Sequence, residues 1–301
     1  MSRDADLDPQ TYYDEFADGE WERLERDPVT RMEFENTTDY LAAFLPDSGD
    51  ESASDAVRVL DAGGGPGRYT CWLAERGYEV EHCDLSAEQV RIAREKVEER
   101  GLESRVTCQQ ADLRDLPFAD ESFDAVCCLG GPLSHVVDDA ERADALAELR
   151  RVARSGVRTS EASAGSSERC SDGAPVFASV IGRFAMLRDI IKFVPDASHG
   201  LLAPIAEDGD YTAERVAEHA DGEGWAACHG FRADEFEAEL EAAGFEVETL
   251  VGLENVAARM KRELADASDE AVADVREVVR TLREDRTAVD CSEHMLAVTR
   301  A

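Results

Sequence analysis

The chain has 301 residues, 43% of them hydrophobic, which suits one large domain or a domain with a cap and is too apolar for a wholly disordered chain. Sixty-seven acidic residues stand against 32 basic ones, giving a formal charge of −35, and the lysines are three: Lys96, Lys192 and Lys261. No Lys/Arg stripe for phosphates is visible. The balance is that expected of a protein from a salt-loving organism, kept hydrated by carboxylates in molar salt, where the screening length is about 3 Å.

The N-terminal "MSRDADLDPQ" has no apolar core of a leader, and no run reaches membrane-spanning length, so a cytoplasmic protein is expected. Residues 9–45 space Tyr12, Tyr13, Phe16, Trp21 and Leu24 helically, which predicts two short amphipathic helices. Residues 46–55 form a polar linker. A short buried strand is expected over 56–60, then a glycine loop and a helix through Ala74. "YEVEHCD" (78–84) makes a second strand. The helix after it has Ser86 as cap, Gln89 three residues on, and Gly101 as its stop. "RVTCQQAD" (105–112) and "FDAVCCLGG" (123–131) are the next strands, the latter apolar on both faces as a central parallel strand should be. A helix covers 138–154. Residues 155–174, rich in Ser and Gly, are expected to be a mobile loop. Strands at 175–181, 246–253 and 294–301, with a helix at 233–245, complete seven strands alternating with helices. That rhythm indicates an α/β fold with a doubly wound sheet.

The expected organisation is an N-terminal helical lid and linker, 1–55, followed by one domain, 56–301. Two long segments, 183–231 and 254–290, leave the carboxyl ends of strands, the rim where open α/β sheets bind ligands. With the N-terminal helices they are expected to cap a substrate. The eight cysteines contain no C-x-x-C pair, so neither a zinc site nor a redox motif is indicated, and no metal is expected.

The chemistry concentrates in "VRVLDAGGGPGRYTCWLAERGYEVEHCDLS", Val57 to Ser86. Gly63, Gly65 and Gly67 alternate between a buried strand and a helix, where the chain must turn sharply and admit a ligand to its backbone. Asp61 precedes the loop, and Asp84 ends the next strand, where an acid can accept bonds from a ribose. The dinucleotide fingerprint fails in both frames, because Arg68 or Thr70 occupies its third glycine position. The phosphate loop is absent too. Asp61 would repel a pyrophosphate and attract an ammonium. A ligand with adenosine at one end and an amino acid at the other fits.

The run "LDAGGGPGRYTCWLAERGYEVEHCDLS" resembles motif I and the acid after strand 2 of class I S-adenosylmethionine-dependent methyltransferases. Asp61, Gly63, Gly65 and Gly67 match the pattern D/E-x-G-x-G-x-G. The resemblance implies a Rossmann-like, mostly parallel seven-stranded sheet with an antiparallel last strand and helical lid insertions. It implies S-adenosyl-L-methionine as cofactor, held by Asp61, Ala62, Gly63, Gly65, Gly67, Asp84 and Leu85. "QADLRDLPFADESFDAV" resembles the segment whose acid reads the adenine amino group, placing Asp112 with Leu113 beside the ring. "CCLGGPLSHV" resembles motif IV, with Leu129 and Gly130 flanking the cofactor. "HGFRADEFEAELEAAGFEVETLVGL" is similar to the small-molecule branch called type 11. One departure is visible. The family's short Pro-Gly-Gly turn before strand 5 is replaced by Arg154-Ser155-Gly156 and a polar loop. Local alternatives stand beside these roles: Asp61 as a turn cap, Asp84 as a helix cap, Asp112 as one of several solvated acids.

Methyl transfer asks the protein mainly to align and desolvate the reactants, and a base helps only if the acceptor must lose a proton. His135, just past strand 4, is the candidate base. His229, Tyr12 and Tyr13 are weaker ones, and Tyr12, Phe16 and Trp21 are candidates to line an acceptor pocket. The expected acceptor is a small molecule. A tRNA wobble-uridine carboxymethyl methyltransferase, whose family has a similar "LDAGGG" run and a closing strand like "HMLAVTRA", is the alternative within the class. A non-catalytic sensor that binds the cofactor is the alternative outside it. Oligomeric state leaves no signal in the sequence.

Overall fold

A computed structural model describes residues 8–16, 18–48, 56–156, 173–193, 200–219 and 225–301. Much of the expected linker and nearly all of the 155–174 loop lie outside the described residues. The strands are β1 Arg58–Ala62, β2 Glu79–Asp84, β3 Val106–Gln110, β4 Ala125–Cys128, β5 Pro175–Ile181, β6 Asp210–Tyr211, β7 Cys228–His229, β8 Glu246–Gly252 and β9 His294–Arg300. Seven form one sheet in the order β3-β2-β1-β4-β5-β9-β8. β1 to β5 pair in parallel, and β9 is antiparallel to both neighbours. The direction of winding reverses between β1 and β4, which opens a crevice at their carboxyl ends. This is the expected α/β fold. β6 and β7 form a separate two-stranded ribbon inside the 183–231 insertion, which two-residue strands give no periodicity to announce.

Side-chain alternation along β1 assigns the two cores. Leu60 and Ala62 join Val126, Cys128, Phe231 and Phe236 beneath α6 (Asp139–Val152) and α10 (Ala233–Ala242). Val59 joins Val80, Cys127, Leu41 and Leu73 beneath α3 (Pro28–Phe44) and α4 (Arg68–Ala74). Asp61 shares Val59's face, so its carboxylate is directed to α4. Cys127 and Cys128 split between the two cores as buried free thiols, and burial pushes both up.

The N-terminal region holds three helices rather than two: α1 Pro9–Phe16, α2 Asp18–Arg23 and α3. α3 starts where Asp27 accepts from Val29 N and Thr30 N and Pro28 occupies the first turn, a start signal independent of the apolar period. α5 (Ala87–Glu99) begins as the sequence suggests, Ser86 Oγ accepting from Gln89 N at 3.1 Å. In the 183–231 insertion, α7 (Arg183–Phe193), α8 (Leu202–Asp208) and α9 (Ala213–His219) enclose a small core of Met186, Ile190, Ile205 and Tyr211 with the ribbon. In 254–290, α11 (Lys261–Ala265) and α12 (Asp269–Leu282) pack Leu264 and Val279 on Val29 and Met32 of α3, and α13 (Arg286–Val289) leads into β9. Among the described residues no helix is long and apolar enough to cross a membrane.

Candidate active site

The crevice between β1 and β4 holds a cavity of about 240 Å³. Its floor is the glycine loop. Gly63 N and Gly64 N both donate to Cys83 O, at 2.8 and 3.1 Å, pinning the loop to β2. Asp84 closes it: one carboxylate oxygen accepts from Gly65 N at 2.8 Å, the other from Ser86 N at 2.9 Å. Burial raises the Asp84 pKa, and those two amides and His82 oppose the rise. Each oxygen keeps a further lone pair. Because both amides need an acceptor, Asp84→Asn would turn its NH₂ toward one of them; this residue shapes the loop as well as facing the cavity.

The glycines differ in what they make room for. A Cβ at Gly63 would lie 2.6 Å from the Pro132 ring, and one at Gly64 would lie 2.6 Å from His82 Nδ1 and 2.7 Å from Asp61 Oδ2. At Gly67 it would meet Ala93 of α5 at 3.2 Å. At Gly65, with φ +54°, it would meet nothing within 4 Å. Three of the four glycines admit other parts of the protein, and at Gly65 alone of them would a Cβ enter open space.

Of the residues singled out in the sequence, Gly63, Gly65, Asp84, Leu85, Asp112, Leu113, Leu129, Gly130 and His135 converge on this cavity. Leu85 is 37% exposed there, an apolar side chain only partly covered by protein. Asp61, Ala62 and Gly67 are not in its wall. Asp61 is fully buried: Thr70 Oγ1 donates to Oδ2 at 2.6 Å and lies 2.9 Å from His82 Nδ1, while among the described residues Oδ1 has no partner. The attraction of an ammonium to Asp61, expected from its place in the chain, would act from below the loop. Asp112 is already engaged by Arg114, whose Nη2 donates at 2.6 Å and whose Nε and backbone N–H reach the same carboxylate. Those bonds hold it below the usual carboxylate range.

The N-terminal helices form the opposite wall through Tyr13, Glu20, Arg23 and Leu24. Gln89 Nε2 donates to Tyr13 O at 2.9 Å, and Ser86 Oγ donates to Asp14, fixing α1 on the start of α5. Trp21 lies under three cations, Arg68 and Arg100 at 4.7 Å and Lys96 at 5.3 Å. Tyr12 and Phe16 stack on each other, 5.9 Å between centroids. Neither they nor Trp21 face the cavity. The 183–231 insertion reaches the site through Ala227 O, which lies 2.9 Å from His135 Nδ1. The segment 254–290 lies behind α3. His229 sits in the ribbon with its Nδ1 2.6 Å from Asp210 Oδ1.

Reasoning from the sequence missed Arg23, Tyr69, Pro132, Val136 and Val137 in the wall. Pro132 and Tyr69 had a signal, since they stand one and two residues after a glycine turn at a strand's carboxyl end. Arg23 had none. Its guanidinium is held by Glu20 through Nε at 2.5 Å and by buried Glu33 through both Nη atoms at 2.7 and 2.9 Å. Behind Glu33 lies His294, with Nδ1 3.4 Å from Glu33 and 2.8 Å from Glu254. Glu33, Glu254 and His294 are close enough to surround a metal ion. Their atoms are instead bonded to one another, to Arg23 and to Ser292 Oγ at 2.7 Å.

That network gives a pH dependence. Burial lowers the His294 pKa, but Glu33 and Glu254 outweigh it, and the net direction is upward. A raised folded-state pKa stabilises the fold fully below the unfolded value, about 6.5, and the contribution fades as pH rises through the folded value. Unfolding free energies measured in urea from pH 6 upward are expected to fall across this window, by about 1.4 kcal/mol for each unit separating the two values. His294→Gln should flatten the curve; an equally steep curve in that variant would remove the assignment.

A mostly parallel seven-stranded sheet with its antiparallel strand inserted next to the last position, and a glycine-loop crevice at its switch point, make a Rossmann-like architecture shared with solved methyltransferase structures. Residues 59–156 match the family described as "Methyltransferase domain". The chain is similar to the methyltransferase GfsG of Streptomyces halstedii, 38% identical over 102 residues, covering 34% of this chain and 35% of that protein. It is similar to the phosphatidylethanolamine N-methyltransferase of Cereibacter sphaeroides, 41% identical over 99 residues, covering 33% of this chain and 46% of that one. The match thus spans less than half the length of either relative. Among solved structures, an S-adenosylmethionine-dependent methyltransferase from Methanosarcina mazei superposes with a TM-score of 0.56 at 18% identity, over 87% of this chain and 96% of that one. Residues 59–156 of this chain thus match a methyltransferase domain, and the fold is one shared with S-adenosylmethionine-dependent methyltransferases.

The cavity fits that cofactor. Gly65 leaves open space where any other residue would project a Cβ, Leu85 offers a partly uncovered apolar face, and Asp84 has lone pairs to spare. The wall carries five acids, Asp8, Glu20, Asp84, Asp112 and Glu141, against three arginines, Arg23, Arg68 and Arg114, an excess that suits a sulfonium and an ammonium.

Proposed function

We propose that the protein transfers a methyl group from S-adenosyl-L-methionine to an uncharged small-molecule acceptor by in-line displacement. The observation that carries the reading is the convergence of Gly65, Asp84, Leu85 and Gly130 on one cavity at the switch point of the sheet. Gly65 and Asp84 hold the nucleoside end, Leu85 and Leu113 its base. When bound, the cofactor supplies a carbon already activated for displacement, so the chain's work is positioning and exclusion of water. The N-terminal helices do the excluding, with Tyr13, Arg23 and Leu24 across the cavity from the loop. An excess of acids in the wall favours an uncharged acceptor over a nucleic acid, whose phosphates it would repel. Three lysines among 301 residues and a formal charge of −35 support work at high salt.

The test is a calorimetric titration at high salt with S-adenosylhomocysteine and with its 2′-deoxy counterpart. The first is expected to bind at one site. The second should bind about tenfold more weakly or worse, the loss of one hydrogen bond to a charged acceptor. No heat with S-adenosylhomocysteine would overturn the reading. Equal affinities would overturn the role of Asp84 alone.

A further inference from the structure

Tyr13 and His135 are 122 positions apart and meet at the cavity wall, with Tyr13 Oη 2.9 Å from His135 Nε2 and the rings edge-on at 5.2 Å. The protons in this contact can be placed. Ala227 O, 2.9 Å from Nδ1, is a carbonyl and can only accept, so Nδ1 carries the hydrogen. Burial drives the imidazole toward its neutral form, so Nε2 holds a lone pair. The Tyr13 hydroxyl must then be the donor to Nε2. Burial and Glu20 keep that phenol protonated. Tyr12, Arg23 and Cys228 are the other titratable or charged groups felt by Tyr13, and His294 the one felt by His135 beyond its own partners. Among the described residues no donor engages the Tyr13 oxygen.

Such a chain, a carbonyl behind an imidazole behind a phenol, accepts a proton at one end only. We propose that Tyr13 is the catalytic residue that takes a proton from the methyl acceptor, that His135 is the positioning residue that receives Tyr13's own proton, and that the acceptor is an uncharged phenol or enol. The proposal rests on the methyltransferase reading and deepens it. As the acceptor's O–H bond breaks, its electron pair stays on oxygen and would form the new bond to the methyl carbon while that carbon's bond to sulfur breaks, the pair leaving on sulfur as the neutral thioether S-adenosylhomocysteine. The proton passes to the Tyr13 oxygen, and the proton of Tyr13 passes to Nε2, leaving an imidazolium held by Ala227 O. A carboxylate acceptor has no proton to lose, and a free amine has its lone pair available without a base. The pair has a task only for a hydroxyl or an equally acidic C–H.

The experiment uses the full chain saturated with S-adenosylhomocysteine and 4-nitrocatechol as a probe, whose ionisation is read from its visible spectrum. The probe is expected to bind, and to ionise at least about one pH unit lower when bound than when free in the same buffer, a tenfold gain in anion. Tyr13→Phe and His135→Gln should each remove that shift, with folding of the variants verified by near-ultraviolet circular dichroism. If either variant fails to fold, the wild-type shift decides. A probe that fails to bind, that binds without a shift, or that keeps the shift in folded Tyr13→Phe overturns the proposal. Failure of S-adenosylhomocysteine itself to bind overturns the methyltransferase reading instead.

Discussion

Arg142→Ala is expected to lower the stability of the fold by about 3 kcal/mol in urea denaturation, among the largest effects of any single side chain outside the cavity. Arg142 is 1% exposed. Its Nε and Nη2 grip Glu239 of α10 at 2.8 and 2.7 Å, Nη1 donates to Val136 O and Val137 O at 2.9 and 3.0 Å, and its guanidinium lies 5.1 Å from the centre of Phe231. Truncation would leave two half-buried carbonyls and the carboxylates of Glu239 and Asp139 without their donor, and a void beside Phe231. The lower end of the usual range for a broken buried pair applies because Glu239 is 31% exposed and can be rehydrated in part. Arg142→Lys keeps the charge but loses the fork, and should recover less than half of the loss. In a double-mutant cycle, Glu239→Ala on top of Arg142→Ala should cost little more, with a coupling of about 2 kcal/mol. Additive costs would show that the pair is incidental. Val136 and Val137 line the cavity, so S-adenosylhomocysteine affinity should fall alongside stability.

This arginine illustrates where reading the sequence stops. Arg142 sits in "DDAERADALAELRRVAR" among alternating charges and looks solvated, because two of its partners, Glu239 and Phe231, reach it only when α6 and α10 cover the same face of the sheet. The Tyr13–His135 contact and the Arg23–Glu33–His294 network are invisible for the same reason. What was legible is local. Short apolar runs gave the strands to within a few residues, and Ser86 and Gly101 gave the ends of α5. The acid at Asp84 was legible as the last residue of a strand feeding a helix. Period-2 alternation contained one further fact that was overlooked: Asp61 lies on Val59's side of β1, under α4, and so cannot stand in the cavity wall. The third N-terminal helix was also within reach, since Asp27, Pro28 and Thr30 spell a helix start that an apolar count passes over.

The glycine loop yields the second large effect, in which stability and binding are expected to move in opposite orders. Gly63→Ala and Gly65→Ala share one penalty, since both positions have positive φ, +67° and +54°, costing an L-residue roughly 1–2 kcal/mol. They differ in what the methyl group meets. At Gly63 it would press on the Pro132 ring, at 2.6 and 2.7 Å. That ring is rigid and opens the 3₁₀ turn Pro132–His135, itself tied to β5 by Ile181 N donating to Ser134 Oγ at 2.8 Å. The neighbour cannot give cheaply, and overpacking adds about 1–3 kcal/mol. At Gly65 nothing lies within 4 Å, so the fold should lose no more than the backbone term. The new methyl group would instead project into open space at the cavity wall, and S-adenosylhomocysteine affinity should fall by about tenfold or more. Gly64→Ala has no positive φ to strain, yet it would strike His82 and Asp61 and should behave like Gly63→Ala. Urea denaturation and calorimetry on the three variants separate these terms. If Gly65→Ala binds as the parent does, the cavity beside Gly65 is not where the cofactor lies, however well the loop matches a methyltransferase.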